Sequence, residues 1–312
     1  MSTEQVISTF VLLTITGLGL AALYFLIASG LSLIYGLMGV LNFAHGAFIT
    51  FGAYAAWWIT THVEASAEVE LIVAAGFGLL IGAALAALVE LVFIRPLYRR
   101  PVEQILVTVG LALALGALVF GIWGADPKLF PDRPGEALSL PSWMIDTTTI
   151  AGANIPNDRF AEIAVAIVVL VGLTAFLRFT RIGLIIRAGV ENRAMVTALG
   201  IDVRKAFTFV FAVGGALAAL AGVLSGIYFG TVDPARGTSL LIFAFIVVVI
   251  GGFGSIGGSA VAAVAVGLVQ QYANYYAANW LDWSGAGDVA VMLLLASVLL
   301  LRPEGLAPKV AH

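Results

Sequence analysis

Apolar runs about twenty residues long recur along almost the whole chain, and a soluble fold has no place for them. The hydrocarbon core of a bilayer is about 30 Å thick, which a helix rising about 1.5 Å per residue crosses in about 20 residues. The runs fall at about 6–36, 43–60, 71–94, 104–124, 160–180, 206–229, 239–256, 259–279 and 287–302. The first is too long for one simple crossing, so residues 28–42 read as a separate re-entrant or broken piece. The expected number of helices is therefore about eight to ten, with nine the best count. Only helices or closed barrels satisfy every backbone polar group in lipid, and the runs lack the short alternating segments of a barrel. Composition agrees: 61% of the 312 residues are hydrophobic and 11% are charged, where a soluble domain carries about 25% charged residues. The fold class expected is an all-α polytopic membrane protein, one transmembrane domain over 1–312. The first run follows MSTEQ, which has no Lys or Arg, so it reads as a retained span and not a cleaved leader.

Basic residues in short loops set orientation. Arg95, Arg99 and Arg100 follow the third run. Arg178, Arg181, Arg187, Arg193, Arg204 and Lys205 lie between the fifth and sixth, against only Glu191 and Asp202. Arg302 and Lys309 follow the last. These segments alternate with loops that are acidic or nearly free of bases: 61–70, with Glu64, Glu68 and Glu70, then 125–159, 230–238 and 280–286. The expectation is an N-terminus outside, a cytoplasmic C-terminus, and a multi-pass protein of the inner (plasma) membrane. All six tryptophans fall in or beside the proposed outer loops, as interfacial Trp would. Loop 125–159 holds five prolines. It reads either as a docking or covering element or as a plain solvated connector.

Candidate chemistry is sparse. Gly251–Gly258 reads GGFGSIGG, but it lacks the Lys-Ser/Thr end of a phosphate loop, so a turn or hinge is expected there. Asn42 and His45 interrupt an apolar stretch. They either line a path or cap a broken helix beside it, or Asn42 caps the second span with His45 in its first turn at the interface. Gln270 and Asn274 either face a watery path or hydrogen-bond between helices. Glu90 is the one carboxylate well inside a run and stands about one helical turn before Arg95, which predicts an ion pair. No pair of embedded acids, no GxSxG and no metal motif is legible; the histidines are His45, His62 and His312, and cysteine is absent. Gly222, Gly226 and Gly230 recur every fourth position and read as a packing stripe. These observations exclude no transporter class. They leave an enzyme without machinery, and active transport without an internal energy source. A cytoplasmic loop pulled by a separate ATPase fits, and 181–205 is the loop available. Its segment 190–199 is rich in helix formers, Gly200 can end a helix, and Ala194 and Ala198 stand four apart on one face. The competing reading is a solvated basic loop.

Four segments together resemble the permeases of branched-chain amino acid ABC importers, the LivH-like type. They are GLSLIYGLMGVLNFAHGAFITFGAY (30–54), RAGVENRAMVTALGIDVRKAFTFVFAVGGALAALAG (187–222), VVIGGFGSIGGSAVAAVAVG (248–267) and LLLRPEGL (299–306). The resemblance implies a second homologous permease subunit, two cytoplasmic ATP-binding subunits and a periplasmic amino-acid-binding protein as partners. ATP and Mg would be bound by those partners, with no cofactor in this chain. It further implies that Arg187, Glu191, Arg193, Ala194, Ala198 and Gly200 form a coupling helix seated in the ATPase, with Arg187 and Arg193 available to pair with acids. The family's EAA…G pattern is met here only loosely, since Asn192 and Arg193 follow Glu191. Import of urea or short amides is the nearest alternative. A partner-independent secondary transporter or channel is the alternative of a different class.

Overall fold

The structure is a computed structural model that describes residues 3–39, 41–130, 140–191, 193–198, 200 and 203–307. Each apolar run lies on a helix. In chain order these are α1 (Thr3–Met38), α2 (His45–His62), α3 (Ala67–Val89), α4 (Pro101–Trp123), the short α5 (Ser142–Ile145), α6 (Asp158–Phe179), α7 (Arg181–Glu191), α8 (Arg193–Ala198), α9 (Val203–Phe229), α10 (Arg236–Gly251), α11 (Ile256–Leu281) and α12 (Ala286–Leu301). Six of them (α1, α3, α4, α6, α9 and α11) are long and apolar enough to cross a membrane. The class is therefore an all-α polytopic membrane protein.

The middle of the bundle is α1 and α9, which run antiparallel: Gly30 packs on Gly214 near one end, and the Tyr228 hydroxyl donates to the Thr16 carbonyl (3.3 Å) near the other. Both helices are buried along most of their middle turns, as are large parts of α2 and α10. By contrast α4, α6 and α12 present Leu113, Val168 and Leu300 to the outside. A helix that is apolar all round needs either protein or lipid on every face. Here α1 finds protein, and α4 and α12 largely do not.

The break expected within 28–42 falls near the end of that range. Helix α1 runs unbroken through Met38, because residues 28–38 contain no proline and their buried serines stay within the helix, Ser29 Oγ donating to the Leu26 carbonyl at 2.8 Å. The break comes next, at Gly39 (φ +70°), followed by a non-helical stretch before α2.

Two two-stranded ribbons occupy the end of the bundle where α4 stops and α6 starts. Strand β1 (Lys128–Leu129) pairs antiparallel with β4 (Thr231–Val232), about a hundred residues away, and Phe130 beside it packs its ring against Gly226. Strands β2 (Thr147–Ile150) and β3 (Ala153–Pro156) form a hairpin whose turn residues Ala151 and Gly152 both take positive φ, 50° and 80°. Type I′ hairpin turns demand that pair of conformations. The described parts of 125–159 thus carry regular structure. The glycine-rich segment 251–258 spans the turn between α10 and α11, which occupies residues 252–255, and Ser255 caps α11 by accepting from Gly258 N at 3.0 Å. The segment after α12 clips onto the same turn: Leu306 N donates to Ile250 O (2.8 Å) and Ala307 N to Gly251 O (3.2 Å). Two separated sequence motifs are therefore one structural unit.

Candidate functional site

The loop between α6 and α9 is two short helices. Thr180 starts the first, its hydroxyl accepting from Gly183 N at 2.9 Å, and Gly183 lies so close to the backbone of Phe176 and Leu177 that a side chain there has no room. Helix α7 packs on α1, α6 and α9 through Ile186, which is buried, while Arg181, Leu184 and Arg187 face outward. The Arg187 guanidinium reaches the Arg178 carbonyl only at 3.5 Å. In α8, Val196 is buried, and Met195 and Ala198 are exposed. Gly200 has φ +79°, the left-handed conformation with which helices commonly end. The side chains of Glu191, Arg193 and Ala194 lie outside the described residues. Sequence reasoning passed over Leu184 and Met195, about 60% exposed at 59% and 61%. Together with Ala198 they give the loop an apolar element among its positive charges. Hydrophobic side chains on a loop otherwise rich in arginine were the available signal.

The same end of α9 is tied to α3. Glu90, fully buried, accepts from Thr208 Oγ1 (2.7 Å) and pairs with Arg95 (3.3 Å), and Arg95 Nη2 also donates to Thr208 (2.7 Å). Tyr98 donates to the same carboxylate. Burial, and then the Glu90 carboxylate beside it, push the Tyr98 hydroxyl above the ordinary tyrosine range. The expected ion pair is present, at a spacing of five residues. An α-helix would splay that pair; a π turn over Glu90–Ile94 brings it into line.

Asn42 and His45 sit inside the bundle. Asn42 Oδ1 accepts from Ala44 N (3.1 Å) just ahead of α2, and His45 opens the helix. Both are buried, at 2% and 0% exposure. Their chain doubles back: Phe43 packs on Phe245 of α10 (5.2 Å), two residues beyond the Phe243 that stacks on Tyr24 of α1 (5.2 Å). Tyr24 lies well over three turns before the end of α1, so α2 starts deep within the protein, not at its edge.

Gln270 and Asn274 are used for packing. Tyr24 Oη donates to Gln270 Oε1 (2.6 Å), Gln270 Nε2 to Asp288 Oδ1 (2.8 Å), and Gly287 N to Asn274 Oδ1 (2.8 Å), which joins α1, α11 and α12. Among the three glycines, Gly222 meets the backbone of Ile49 and Ala53, and Gly226 meets the Phe130 ring. Gly230 lies past the end of α9, with φ +69° and no neighbour within 4 Å, so it turns the chain toward β4 and is not a packing position.

One cluster was not legible, and it corrects the expectation that no acids are embedded together. Asp158 and Glu162 are both buried and share Arg159, at 3.3 Å each. The Arg159 guanidinium lies 3.5 Å over the Tyr228 ring. The acids stand at the start of α6, where sequence places them near water. Glu162 is covered by α1 at Gly19, whose missing side chain leaves room for the Glu162 carboxylate and the Arg159 stem. An apolar groove of about 120 Å³ lies between α1, α6 and α11, lined by Leu18, Phe25, Ile163 and Val264 among others, and no polar side chain lines it.

Residues 13–300 match the family described as branched-chain amino acid transport system / permease component. The chain belongs to this family. It is 30% identical over 297 residues to the high-affinity branched-chain amino acid transport system permease protein LivH of Salmonella typhimurium, covering 93% of this chain and 92% of that one. It is 29% identical over 299 residues to the permease protein BraD of Pseudomonas aeruginosa, covering 94% of each. Identity to the probable LivH permease of Methanocaldococcus jannaschii is 26%, over 90% of this chain and 87% of that one. The permease family consists of transport proteins, not enzymes, and this member is a multi-pass inner-membrane protein.

Proposed function

We propose that this permease imports branched-chain amino acids and draws its energy from ATP hydrolysed by two cytoplasmic partner subunits. The observation that carries the reading is the family match, which spans nearly the whole chain and includes the loop of α7 and α8. In this reading the chain crosses the membrane nine times as one domain, with its N-terminus outside and C-terminus in the cytoplasm. The basic segments after α3, α6 and α12 support that orientation. A second homologous permease completes the membrane unit, and a periplasmic amino-acid-binding protein delivers substrate to the ribbon-capped end.

The coupling step falls to 181–205. A loop that is only a solvated connector has no reason to expose Leu184 and Met195 beside Arg187. A groove on an ATP-binding subunit would cover the apolar side chains and neutralise the charges. ATP-driven closure of those subunits would then move α7 and α8, and with them the start of α9. ATP and Mg belong to the partners.

The test is the double variant Arg193→Glu with Gly200→Pro. Proline fixes φ near −65°, against the +79° of Gly200. Leucine uptake driven by ATP should fall about tenfold or more, the scale of an ordinary inter-site coupling. The amount of protein in the membrane should stay unchanged. Uptake at the parental rate would refute the coupling role, and uptake that persists after ATP depletion but stops with an ionophore would refute the class.

A further inference from the structure

The start of α2 carries a polar arrangement that packing does not explain. Burying a polar group without a partner costs about 1–3 kcal/mol. Here Asn42 Nδ2 is buried without a hydrogen-bond partner among the described residues, and the buried His45 ring makes no well-formed hydrogen bond, only facing the Ile27 backbone. Apart from the Ile27 backbone, their surroundings are Phe43, Phe48, Phe245 and the glycine contact of Gly46 on Gly237, which an apolar residue would suit better.

We propose that the N-terminal end of α2, with Asn42 and His45, is a subsite that receives the carboxylate of the transported amino acid. The proposal rests on the amino-acid import reading above. Three features select an anionic oxygen ligand. The Asn42 carbonyl is already engaged by Ala44 N, so the free part of that side chain is its NH₂, a donor only. His45 adds a ring N–H. Helix α2 is 18 residues long, and its N-terminus carries the positive end of the helix dipole into the interior. Among the described residues no hydrogen bond or ion pair joins an acidic side chain to either residue, so the site has no carboxylate to attract a cation. A discontinuous helix ending inside a transporter is a general way to offer backbone polarity to a charged substrate at depth. Both side chains are shut off from solvent.

The test uses the permease with its ATP-binding and binding-protein partners in proteoliposomes, with L-leucine as the probe. Asn42→Leu and His45→Phe should each lower the rate of leucine uptake about tenfold or more. Asn42→Asp, which puts a like charge where the carboxylate sits, should lower it further. ATP hydrolysis stimulated by the loaded binding protein should persist in all three, because the coupling loop is untouched. Conservative His45→Gln should retain more uptake than His45→Phe. A direct readout covers the case in which a variant fails to reach the membrane. Solid-state NMR of the wild-type complex with carboxyl-¹³C leucine and ¹⁵N-histidine should place the carboxyl carbon within about 4 Å of a histidine nitrogen. His45→Gln should abolish that coupling, with His62 and His312 unchanged. A wild-type complex that does not move leucine overturns the import reading. A complex that moves leucine, with variants at parental rate or no ¹³C–¹⁵N contact in the occupied wild type, overturns the subsite alone.

Discussion

Gly222→Leu should abolish accumulation of the folded permease in the membrane. A Cβ at Gly222 would run into the carbonyl oxygen of Ile49 and come within 3.0 Å of the Ile49 carbonyl carbon and 3.3 Å of Ala53 N. All three obstacles are backbone atoms of α2, so no rotamer change relieves them. The neighbourhood has no slack either, since Ala218, Ala219, Ala221 and Val223 are essentially fully buried. Overpacking a tight core typically costs about 1–3 kcal/mol per added group, and here four carbons enter a seam between helix backbones. Helix association in lipid depends on such close approach because no hydrophobic gain separates protein from lipid. The same junction includes α3, where Gly82 packs on Gly215, so parting α2 from α9 disturbs three helices together. Gly76→Leu and Gly172→Leu are the controls: neither position has a neighbour within 4 Å. Size-exclusion profiles and melting temperatures in detergent report the outcome. A monodisperse Gly222→Leu protein melting like its parent would contradict the packing described here.

That contrast marks what sequence can reveal. The every-fourth spacing of Gly222 and Gly226 was readable, and so was a close approach somewhere along α9. The partner was not, because small residues say how near a neighbour comes and not which neighbour it is. Gly230 shared the spacing and serves a turn. Helix positions were legible because lipid forces about 20 apolar residues per crossing. The basic loop was legible because charge cannot lie in lipid. Asn42 and His45 stood out as polar residues in an apolar run, but their depth was hidden, since it depends on where α1 ends. The β1–β4 ribbon pairs residues about a hundred positions apart with two residues per strand, too little pattern to read. The β2–β3 hairpin did leave a signal in Thr147–Ile150 followed by Ala151-Gly152, which its proline-rich setting obscured. The acids of the Arg159 cluster looked like surface residues of a helix start, and the absent side chain of Gly19 is what lets α1 close over Glu162.

Glu90→Gln should destabilise the protein by about 3 kcal/mol, the loss of charge-assisted hydrogen bonds that are each worth about 1.5–3 kcal/mol. Arg95 loses its countercharge, and its side chain is one third exposed (34%), so water repays part of the cost. Thr208→Val removes one contact from the same carboxylate and should cost less. The two changes together should cost less than their sum, because both act on one network. Exchanging the pair for apolar residues, Glu90→Leu with Arg95→Leu, removes buried charge and need as one, and should restore most of the melting temperature. Transport then separates two roles for the network. It joins the π turn of α3 to α9 five residues into that helix, directly after the loop proposed to receive the ATPase. π turns occur frequently at functional sites, where a helix has to give locally. If the network carries motion from α9 into α3, the double-leucine protein will melt like its parent and still take up leucine poorly. Recovery of both stability and uptake would make Glu90 a packing element, and the motion of α9 would then have to reach α3 through the Gly82 and Gly215 contact.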